Sequence, residues 1–211
     1  MNITQKRLEK ITDVAAKRQL DLTIILENVH DTHNIGAVIR SCDSVGISEI
    51  FVLHNTPELV RDFLVIGKNS SSGTRKWVDV RFYNDTEACF KEVRSRYDKV
   101  FGTHLSKSAV DLYELDLSSS MALVFGNENA GITDQTLAHL DGNFMIPQVG
   151  MVQSLNISVA CAVTLYEAFR QRKQKGMYDK EVIGTENEKL MQAYLERHSS
   201  KFKGRAHELR K

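Results

Sequence analysis

Short apolar stretches alternate along this 211-residue chain with segments in which apolar residues recur at helical spacing. Apolar runs of about four to eight residues are typical of buried strands, and the wider spacing is typical of amphipathic helices. Alternating strands and helices favour the α/β class, with a mostly parallel sheet flanked by helices. The predicted strands are Leu22–Leu26, Glu49–Leu53, Trp77–Phe82, Lys99–Thr103, Ala122–Phe125 and Phe144–Ile146. The predicted helices are Ile35–Ser44, Pro57–Ile66, Thr86–Arg96, Asp134–Leu140 and Ser154–Lys173, followed by an amphipathic helix over residues 185–200.

Length and composition indicate one domain with short extensions. A chain of 211 residues, 42% of them hydrophobic, can bury one core but is short for two ordinary domains. Cys42, Cys89 and Cys161 are scattered in apolar surroundings, which predicts reduced thiols rather than disulfides or a zinc site. The first residues lack the apolar core of a signal peptide, and no apolar run approaches the roughly 18 residues of a membrane span. We therefore expect a soluble, cytoplasmic protein without membrane contact.

Both ends of the chain are basic, although the net charge of the whole is only +1. Residues 1–20 carry five lysines and arginines against two acids, and residues 170–211 carry twelve against six, so the middle is acidic. Cationic ends can bind the phosphates of a nucleic acid, while solvated terminal helices explain the same charges. The apolar face of the last predicted helix should pack on another surface, such as a partner subunit. That face consists of Leu190, Met191, Tyr194 and Leu195.

Three polar clusters follow predicted strands, and together they predict one ligand site. They span residues 28–40, 126–131 and 148–156. Ligands of parallel α/β sheets bind at the carboxyl ends of the strands, where such clusters converge. The glycines of the second cluster allow a ligand to approach the backbone closely, and Glu128 between them can accept a hydrogen bond. The third cluster runs directly into an apolar helix, a junction suited to holding a ligand.

Several of these residues also have a purely structural interpretation. Asn34 fits a helix cap, Arg40 fits a surface arginine lying along apolar surface, and Glu128 fits a solvated turn. Ser154 is predicted to cap the helix that follows it. Asn156 would then occupy the first turn, where its low helix propensity indicates that its side chain is hydrogen-bonded.

Common nucleotide and metal motifs do not match the chain. The second cluster lacks the Lys-Ser/Thr that completes a P-loop, and no Gly-x-Gly-x-x-Gly follows the first strand. His30, Asp31 and His33 lie on a loop without the fixed spacing that marks metal ligands. The sequence therefore predicts an enzyme without a metal and outside the ordinary dinucleotide-binding folds.

The three clusters resemble the signature motifs of the SpoU branch of the SPOUT RNA methyltransferases. The resemblance covers about residues 21–175 and implies that the C-terminal part of the sheet is threaded into a deep trefoil knot. It further implies S-adenosyl-L-methionine as cofactor and a homodimer formed through the knot region. Knots are rare in proteins, so that expectation comes from the resemblance alone. The matching segments are Asn28…Asn34-x-Gly36…Arg40, Phe125-Gly126-Asn127-Glu128-x-x-Gly131 and Ile146-Pro147…Ser154-Leu155-Asn156.

The resemblance also implies roles for individual residues. Arg40 would orient an RNA phosphate and stabilise the negative charge that develops on the ribose oxygen. The other catalytic residues implied are Asn34, Glu128, Ser154 and Asn156. The cofactor-binding residues implied are Thr103, Gly126, Ile146 and Leu155. The RNA-binding residues implied are Arg7, Arg18, Arg170 and Arg172.

The expected activity is S-adenosyl-L-methionine-dependent 2′-O-methylation of a tRNA ribose, at guanosine-18 of the D-loop. The short basic flanks resemble the extensions of the subgroup with that activity. We expect a tRNA-contacting extension over residues 1–20, a catalytic domain over 21–175 and a basic helical extension over 176–211. Three alternatives stay open, namely a ribosomal RNA enzyme or a tRNA wobble-position enzyme of the same family, and a catalytically silent RNA-binding module.

Overall fold

The computed structural model describes residues 3–56, 74–152, 154–179 and 183–199. Within them, a seven-stranded sheet is flanked by helices, with 3₁₀ turns at Thr74–Lys76 and Leu112–Glu114. The strands are β1 Leu22–Glu27, β2 Glu49–Leu53, β3 Asp79–Tyr83, β4 Lys99–Thr103, β5 Val110–Asp111, β6 Met121–Phe125 and β7 Gly142–Met145. The helices are α1 Gln5–Ala16, α2 Thr32–Ser44, α3 Thr86–Arg94, α4 Asp134–Leu137, α5 Ile157–Gln174 and α6 Thr185–Ser199.

Every pairing in this sheet is parallel, in the order β3-β2-β1-β6-β4-β7-β5. Strand β1 lies between β2 and β6, with Ile25 opposite Phe51 on one side and Val124 on the other. All six residues of β1 are buried, which explains why Leu22–Leu26 is mostly apolar and does not alternate between apolar and polar residues. The predicted α/β class is confirmed, and the trefoil knot stays a prediction.

The predicted elements differ from the observed ones mainly at their ends. The strand predicted from Trp77 begins instead at Asp79, because residues 74–76 form a 3₁₀ turn just before it. Strand β5 was not predicted, since it has only two residues and pairs with β7 alone. The helix predicted at Pro57–Ile66 lies outside the described residues. None of the described helices has the length and apolar composition needed to cross a membrane.

The terminal helices α1 and α6 pack against each other within one chain. Ile11 and Ala15 of α1 form a buried cluster with Tyr194 of α6, and the Tyr194 hydroxyl donates to the Trp77 carbonyl at 2.6 Å. Leu190, Met191 and Leu195 pack on the same cluster. The expectation that the apolar face of α6 packs on another surface is confirmed, and within the described residues α1 of the same chain provides that surface.

Candidate active site

A cavity of about 350 Å³ lies at the carboxyl ends of β4, β6 and β7. Residues of all three strands or of the loops that follow them line it, as expected where parallel strands end together at one sheet edge. Its walls include the apolar side chains of Phe125, Phe144 and Ile157, and Glu128 and Ser154 lie at its polar side. All four residues predicted to bind a cofactor line this cavity, namely Thr103, Gly126, Ile146 and Leu155.

A chain of amide hydrogen bonds joins the three polar clusters. Asn156 Nδ2 donates to Asn34 Oδ1 at 3.2 Å, and Asn34 Nδ2 donates to Glu128 Oε1 at 2.8 Å. Each side chain comes from a different cluster, so one contact series fixes α2, the Gly126–Gly131 loop and the start of α5 relative to one another. The structure thus brings together three of the five predicted catalytic side chains, and places Ser154 on the lining of the same cavity.

The helix caps differ from those predicted and explain why Asn34 is available. Asp31 caps α2, accepting from the His33 N–H at 2.8 Å, so Asn34 has no capping role. Asn156, and not Ser154, caps α5, accepting from the N–H of Ser158 at 2.9 Å. The predicted helix start at Ser154 is therefore wrong by three residues, because the Asn156 carbonyl group and side chain satisfy the first free N–H groups of the helix.

The Gly126–Gly131 loop turns back on itself so tightly that a side chain at Gly126 has no space. Asn127 and Gly131 exchange two backbone hydrogen bonds of 3.0 and 2.9 Å, and Gly131 has a φ of 71°. A Cβ built on Gly126 would lie 2.3 Å from the Gly131 carbonyl. Asn127 Oδ1 accepts from the N–H groups of Asn129 and Ala130, so its side chain holds the turn from inside.

Helices α2 and α5 run side by side in the same direction. Asn34 contacts Asn156 near their starts, and the Tyr166 hydroxyl lies 3.4 Å from Ser44 Oγ near the end of α2, with the same separation of 122 positions in both pairs. Because both contacts join residues 122 positions apart, the residues of α2 and α5 that lie between these contacts are also at matching heights along the two helices. Cys42 and Cys161 are both fully buried in one core cluster, and Cys89, on α3, is buried in a second one.

Arg40 stands apart from the amide chain and from the cavity lining. It is exposed on α2, six residues after Asn34, which places it about 9 Å further along the helix axis. Its guanidinium makes no hydrogen bond or ion pair with the part of the chain that the structure describes. The predicted catalytic arginine is therefore available to a molecule outside this subunit's own fold.

Two arginines predicted to bind RNA are in the interior, and that prediction needs correction. Arg18 and Arg172 are both 0% exposed. Arg18 donates to the Ile47 carbonyl at 2.9 Å and forms an ion pair with Asp43 at 2.5 Å. Arg172 donates to the carbonyls of residues 117 and 119 and forms an ion pair with Asp21 at 2.6 Å. A guanidinium whose donors are used inside the fold cannot also bind a phosphate in this conformation, so both residues are structural.

The other two arginines predicted to bind RNA are on the surface. The guanidinium carbon of Arg7 lies 5.3 Å from the centroid of the Trp77 ring, and Arg7 and Lys10 line a crevice of about 340 Å³. Arg170 donates from Nε and Nη2 to both carboxylate oxygens of Glu167, at 2.8 and 2.7 Å. These hydrogen bonds lower the pKa of the Glu167 carboxyl. Both guanidinium groups are thus held in place by a neighbour while they stay exposed.

Sequence patterns missed two residues that shape the site. Glu27 ends β1 and is fully buried, and Asn127 Nδ2 donates to the Asn28 carbonyl at 2.9 Å, tying the cavity loop to β1. An ionisable residue at the end of an otherwise apolar strand was the available signal for Glu27. No group of three or more histidine, cysteine or acidic side chains among the described residues is arranged to hold a metal ion.

A parallel sheet with a cavity at the carboxyl ends of its strands, edged by polar loops, defines an α/β enzyme that binds a small molecule. Sequence comparison gives the particular group: this chain belongs to the family described as SpoU rRNA Methylase, whose model matches residues 21–166. The resemblance carried by the three motifs is confirmed.

Similar proteins include tRNA (guanosine(18)-2′-O)-methyltransferases. That of Thermus thermophilus is 42% identical over 177 residues, which cover 84% of this chain and 89% of the relative. That of Escherichia coli is 38% identical over 175 residues, covering 83% and 74%. The 23S rRNA (guanosine-2′-O-)-methyltransferase RlmB of Xanthomonas axonopodis is 32% identical over 168 residues, covering 80% and 65%.

Solved structures show the same relationship. The A. aeolicus TrmH/SpoU tRNA modifying enzyme superimposes with a TM-score of 0.80 at 33% identity, covering 93% of this chain and 98% of that one. The SpoU methyltransferase AviRb from Streptomyces viridochromogenes, in complex with the cofactor AdoMet, gives a TM-score of 0.62 at 25% identity, covering 75% and 61%.

Proposed function

We propose that this protein transfers the methyl group of S-adenosyl-L-methionine to the ribose 2′-hydroxyl of guanosine-18 in tRNA. The observation that carries the proposal is the hydrogen-bonded chain Asn156, Asn34, Glu128 beside the cavity. It occurs in a protein 42% identical to a tRNA (guanosine(18)-2′-O)-methyltransferase. A ribose hydroxyl is a weak nucleophile, and holding it in line with the methyl group supplies much of the rate enhancement. Interlocked polar side chains beside a donor cavity meet that requirement.

The cavity suits S-adenosyl-L-methionine in size and in chemistry. Its volume of about 350 Å³ falls within the usual range of small-molecule sites, which are apolar with a few placed polar groups. Phe125, Phe144 and Ile157 offer apolar walls for the adenine, and the tight loop exposes backbone groups at its rim. When bound, the cofactor supplies the activated methyl group. The residues that would hold it are Thr103, Gly126, Ile146 and Leu155.

Each polar residue then has a distinct task. Asn34 fixes the orientation of Glu128 and Asn156, since its amide donates to one and accepts from the other. Ser154 lies on the cavity lining, where its hydroxyl can contact the cofactor or the ribose. Arg40 orients an RNA phosphate and stabilises the charge that develops on the ribose oxygen, because a guanidinium stays protonated and offers several donors.

A homodimer through the knot region is part of the proposal. Five large apolar side chains near the third motif and along α5 are exposed, and such patches mark protein interfaces. Arg40 lies on α2 beside α5, so a partner packed on this face would lie close to the guanidinium. The exposed side chains are Val149, Met151, Val152, Val159 and Tyr166.

The RNA would be bound by the exposed cations of the flanking segments. Arg7 and Arg170 are the predicted contacts that the structure leaves at the surface, and phosphate contacts of this kind set position and affinity without reading sequence. We place the catalytic domain at residues 21–175, with tRNA-contacting extensions at 1–20 and 176–211, in a protein that works in the cytoplasm.

Transfer of labelled methyl from S-adenosyl-L-methionine to an unmodified tRNA transcript tests the proposal. The same transcript with guanosine-18 replaced, a transcript altered only at the wobble position, and ribosomal RNA serve as matched substrates. We expect the tRNA transcript to be labelled, and we expect the label to be lost only when guanosine-18 is replaced. Label on ribosomal RNA alone, or label that depends on the wobble nucleotide, would replace the substrate with that of a family alternative. Donor binding without transfer to any RNA would indicate a silent RNA-binding module.

A further inference from the structure

Glu27 is a buried carboxylate without a cationic partner among the described residues. It ends β1, is 0% exposed, and forms no ion pair there. A buried charge is costly unless hydrogen bonds replace the lost water. Removal of one partner of such a buried polar contact leaves the remaining groups unsatisfied, which destabilises the surrounding structure.

Four hydrogen bonds from three residues, which belong to two segments far apart in the sequence, converge on this carboxylate. Thr133 donates twice, from its N–H to Oε2 at 3.0 Å and from its hydroxyl to Oε1 at 2.6 Å. The Thr136 hydroxyl donates to Oε1 at 2.5 Å, and Asn55 Nδ2 donates to Oε1 at 3.1 Å. Two carboxylate oxygens can accept all four bonds, whereas the amide of a glutamine has only one accepting oxygen.

The two threonines that donate to Glu27 lie beyond one end of the Gly126–Gly131 loop, and Asn28, the neighbour of Glu27, holds the other end. Thr133 follows the loop by two residues and caps α4. Asn28, which has a φ of 52°, presents its carbonyl to Asn127 Nδ2 at 2.9 Å. Glu27, the last residue of β1, and Asn28, which follows the strand, therefore fix both ends of the loop that carries Glu128 and lines the cavity.

We propose that Glu27 is a positioning residue for the methyl-donor cavity, acting by holding the Gly126–Gly131 loop through Thr133 and Thr136. The inference rests on the proposed function, because the ligand concerned is S-adenosyl-L-methionine. Glu27 is fully buried and does not line the cavity, so it acts through the loop. Its loss loosens the loop, and with it the cavity wall and the orientation of Glu128.

Glu27→Gln tests this assignment, since it keeps the shape of the side chain but replaces Oε2, which accepts from the Thr133 N–H, with an NH2 group that can only donate. Calorimetry is used to measure the Kd of S-adenosyl-L-methionine, and amide hydrogen exchange to measure opening of residues 127–131. We expect the Kd to rise about tenfold and exchange of the loop to speed up by a similar factor. Val80→Ala serves as a control, because Val80 is buried on the distant strand β3 and its truncation lowers stability without touching the loop.

The outcomes separate a positioning role from a merely structural one. The inference would be overturned if Glu27→Gln and Val80→Ala lowered the melting temperature equally and had the same Kd for S-adenosyl-L-methionine and the same exchange rate in the loop. Should Glu27→Gln fail to fold, Thr136→Val removes one donor and retains the carboxylate, and at least a threefold rise in Kd is expected, with no rise counting against the inference. Failure of the wild-type protein to bind S-adenosyl-L-methionine would instead overturn the proposed function, and loop exchange in Glu27→Gln would still report on the anchoring.

Discussion

The side-chain amide of Asn34 donates a hydrogen bond of 2.8 Å to Glu128, although the two residues are 94 positions apart. The bond joins a helix that follows β1 to a loop that follows β6, two strands that are neighbours in the sheet. Asn34 also accepts from Asn156, so its two amide atoms have different partners and its orientation is determined.

Asn34 and Glu128 should act as a unit in methyl transfer. Asn34→Ala and Glu128→Ala are each expected to lower the single-turnover rate about 100-fold, because misplacement of reacting groups by a small distance has that effect. The double variant should be little worse than either single variant, since the two changes remove one shared contact. His33→Ala, an exposed neighbour on α2, is the control and should retain the wild-type rate. Additive losses would show that the hydrogen bond has no role in the rate.

Arg40 should contribute to turnover and not to folding or donor binding. Arg40→Ala is expected to lower turnover at least about 100-fold, as removal of a group that stabilises developing charge does. Its melting temperature and Kd for S-adenosyl-L-methionine should match those of the wild type, because Arg40 is exposed and does not line the cavity. Arg40→Lys retains the charge but not the planar fork of donors, and should be intermediate. Retained turnover in Arg40→Ala would contradict the role.

Gly126 should tolerate no side chain. The added Cβ of Gly126→Ala would lie 2.3 Å from Gly131 backbone atoms, and relief of that overlap should cost about 1–3 kcal/mol of unfolding free energy and displace the cavity loop. Donor binding is expected to be lost. Gly150→Ala is the matched control, because nothing lies within 4 Å of a Cβ there. Calorimetry with both variants would detect the difference, and equal donor affinities would refute the prediction.

The buried and exposed arginines should separate in their effects on stability and RNA affinity. Arg172→Met is expected to lower the free energy of unfolding by about 3 kcal/mol, since it leaves carbonyls and a carboxylate without their donor, while tRNA affinity of the folded protein stays unchanged. Arg7→Ala should lower the free energy of unfolding by no more than about 1 kcal/mol, from loss of the contact with the Trp77 ring, but should weaken tRNA binding and reduce its salt dependence by about one phosphate contact. Denaturant titration and binding at several salt concentrations measure both quantities. A loss of RNA affinity in folded Arg172→Met would restore the role first expected for Arg172.

The three thiols should be unreactive in the native protein. Burial raises the pKa of Cys42, Cys89 and Cys161, so each stays protonated and shielded, and an aromatic disulfide reagent should label them only after denaturation. The unfolded chain releases thiol protons near pH 8.5 whereas the folded chain keeps them, so the free energy of unfolding should fall as the pH rises above about 8.5. Rapid labelling of native protein at pH 8 would contradict the burial of these residues.

The central strands were predictable because burial on both faces leaves a continuous apolar run. Strands β2 and β4 have the predicted ends, and β1 differs only by including Glu27. The short edge strand β5 has no such signal, because its two residues form a strand only through pairing with β7. The start of α5 was misjudged because Ser154 and Asn156 are both good capping residues; in the structure Asn156 caps the helix and also donates to Asn34, a contact that sequence alone does not reveal.

For the site, sequence motifs identified the residues that line the cavity but not how charge is distributed in the fold. Arg18 and Arg172 lie in basic segments and look like surface cations by sequence. The carbonyls and carboxylates that enclose them come from distant positions, with Asp21 lying 151 positions from Arg172. Glu27 was missed for the same reason, since its partners Thr133 and Thr136 are more than 100 positions away.

The chain of hydrogen bonds from Glu128 through Asn34 ends at Asn156, in a polypeptide of 211 residues. A ribosome that synthesises this protein must therefore complete nearly three quarters of it before the last member exists, and α5 must then dock beside α2. Until that moment the strands that precede Asn34 and Glu128 can pair, but the hydrogen-bonded group at the cavity is incomplete. A polypeptide terminated before Asn156 would lack part of this group and should therefore be unable to modify RNA. In the full-length chain the complete site should form in a single late step.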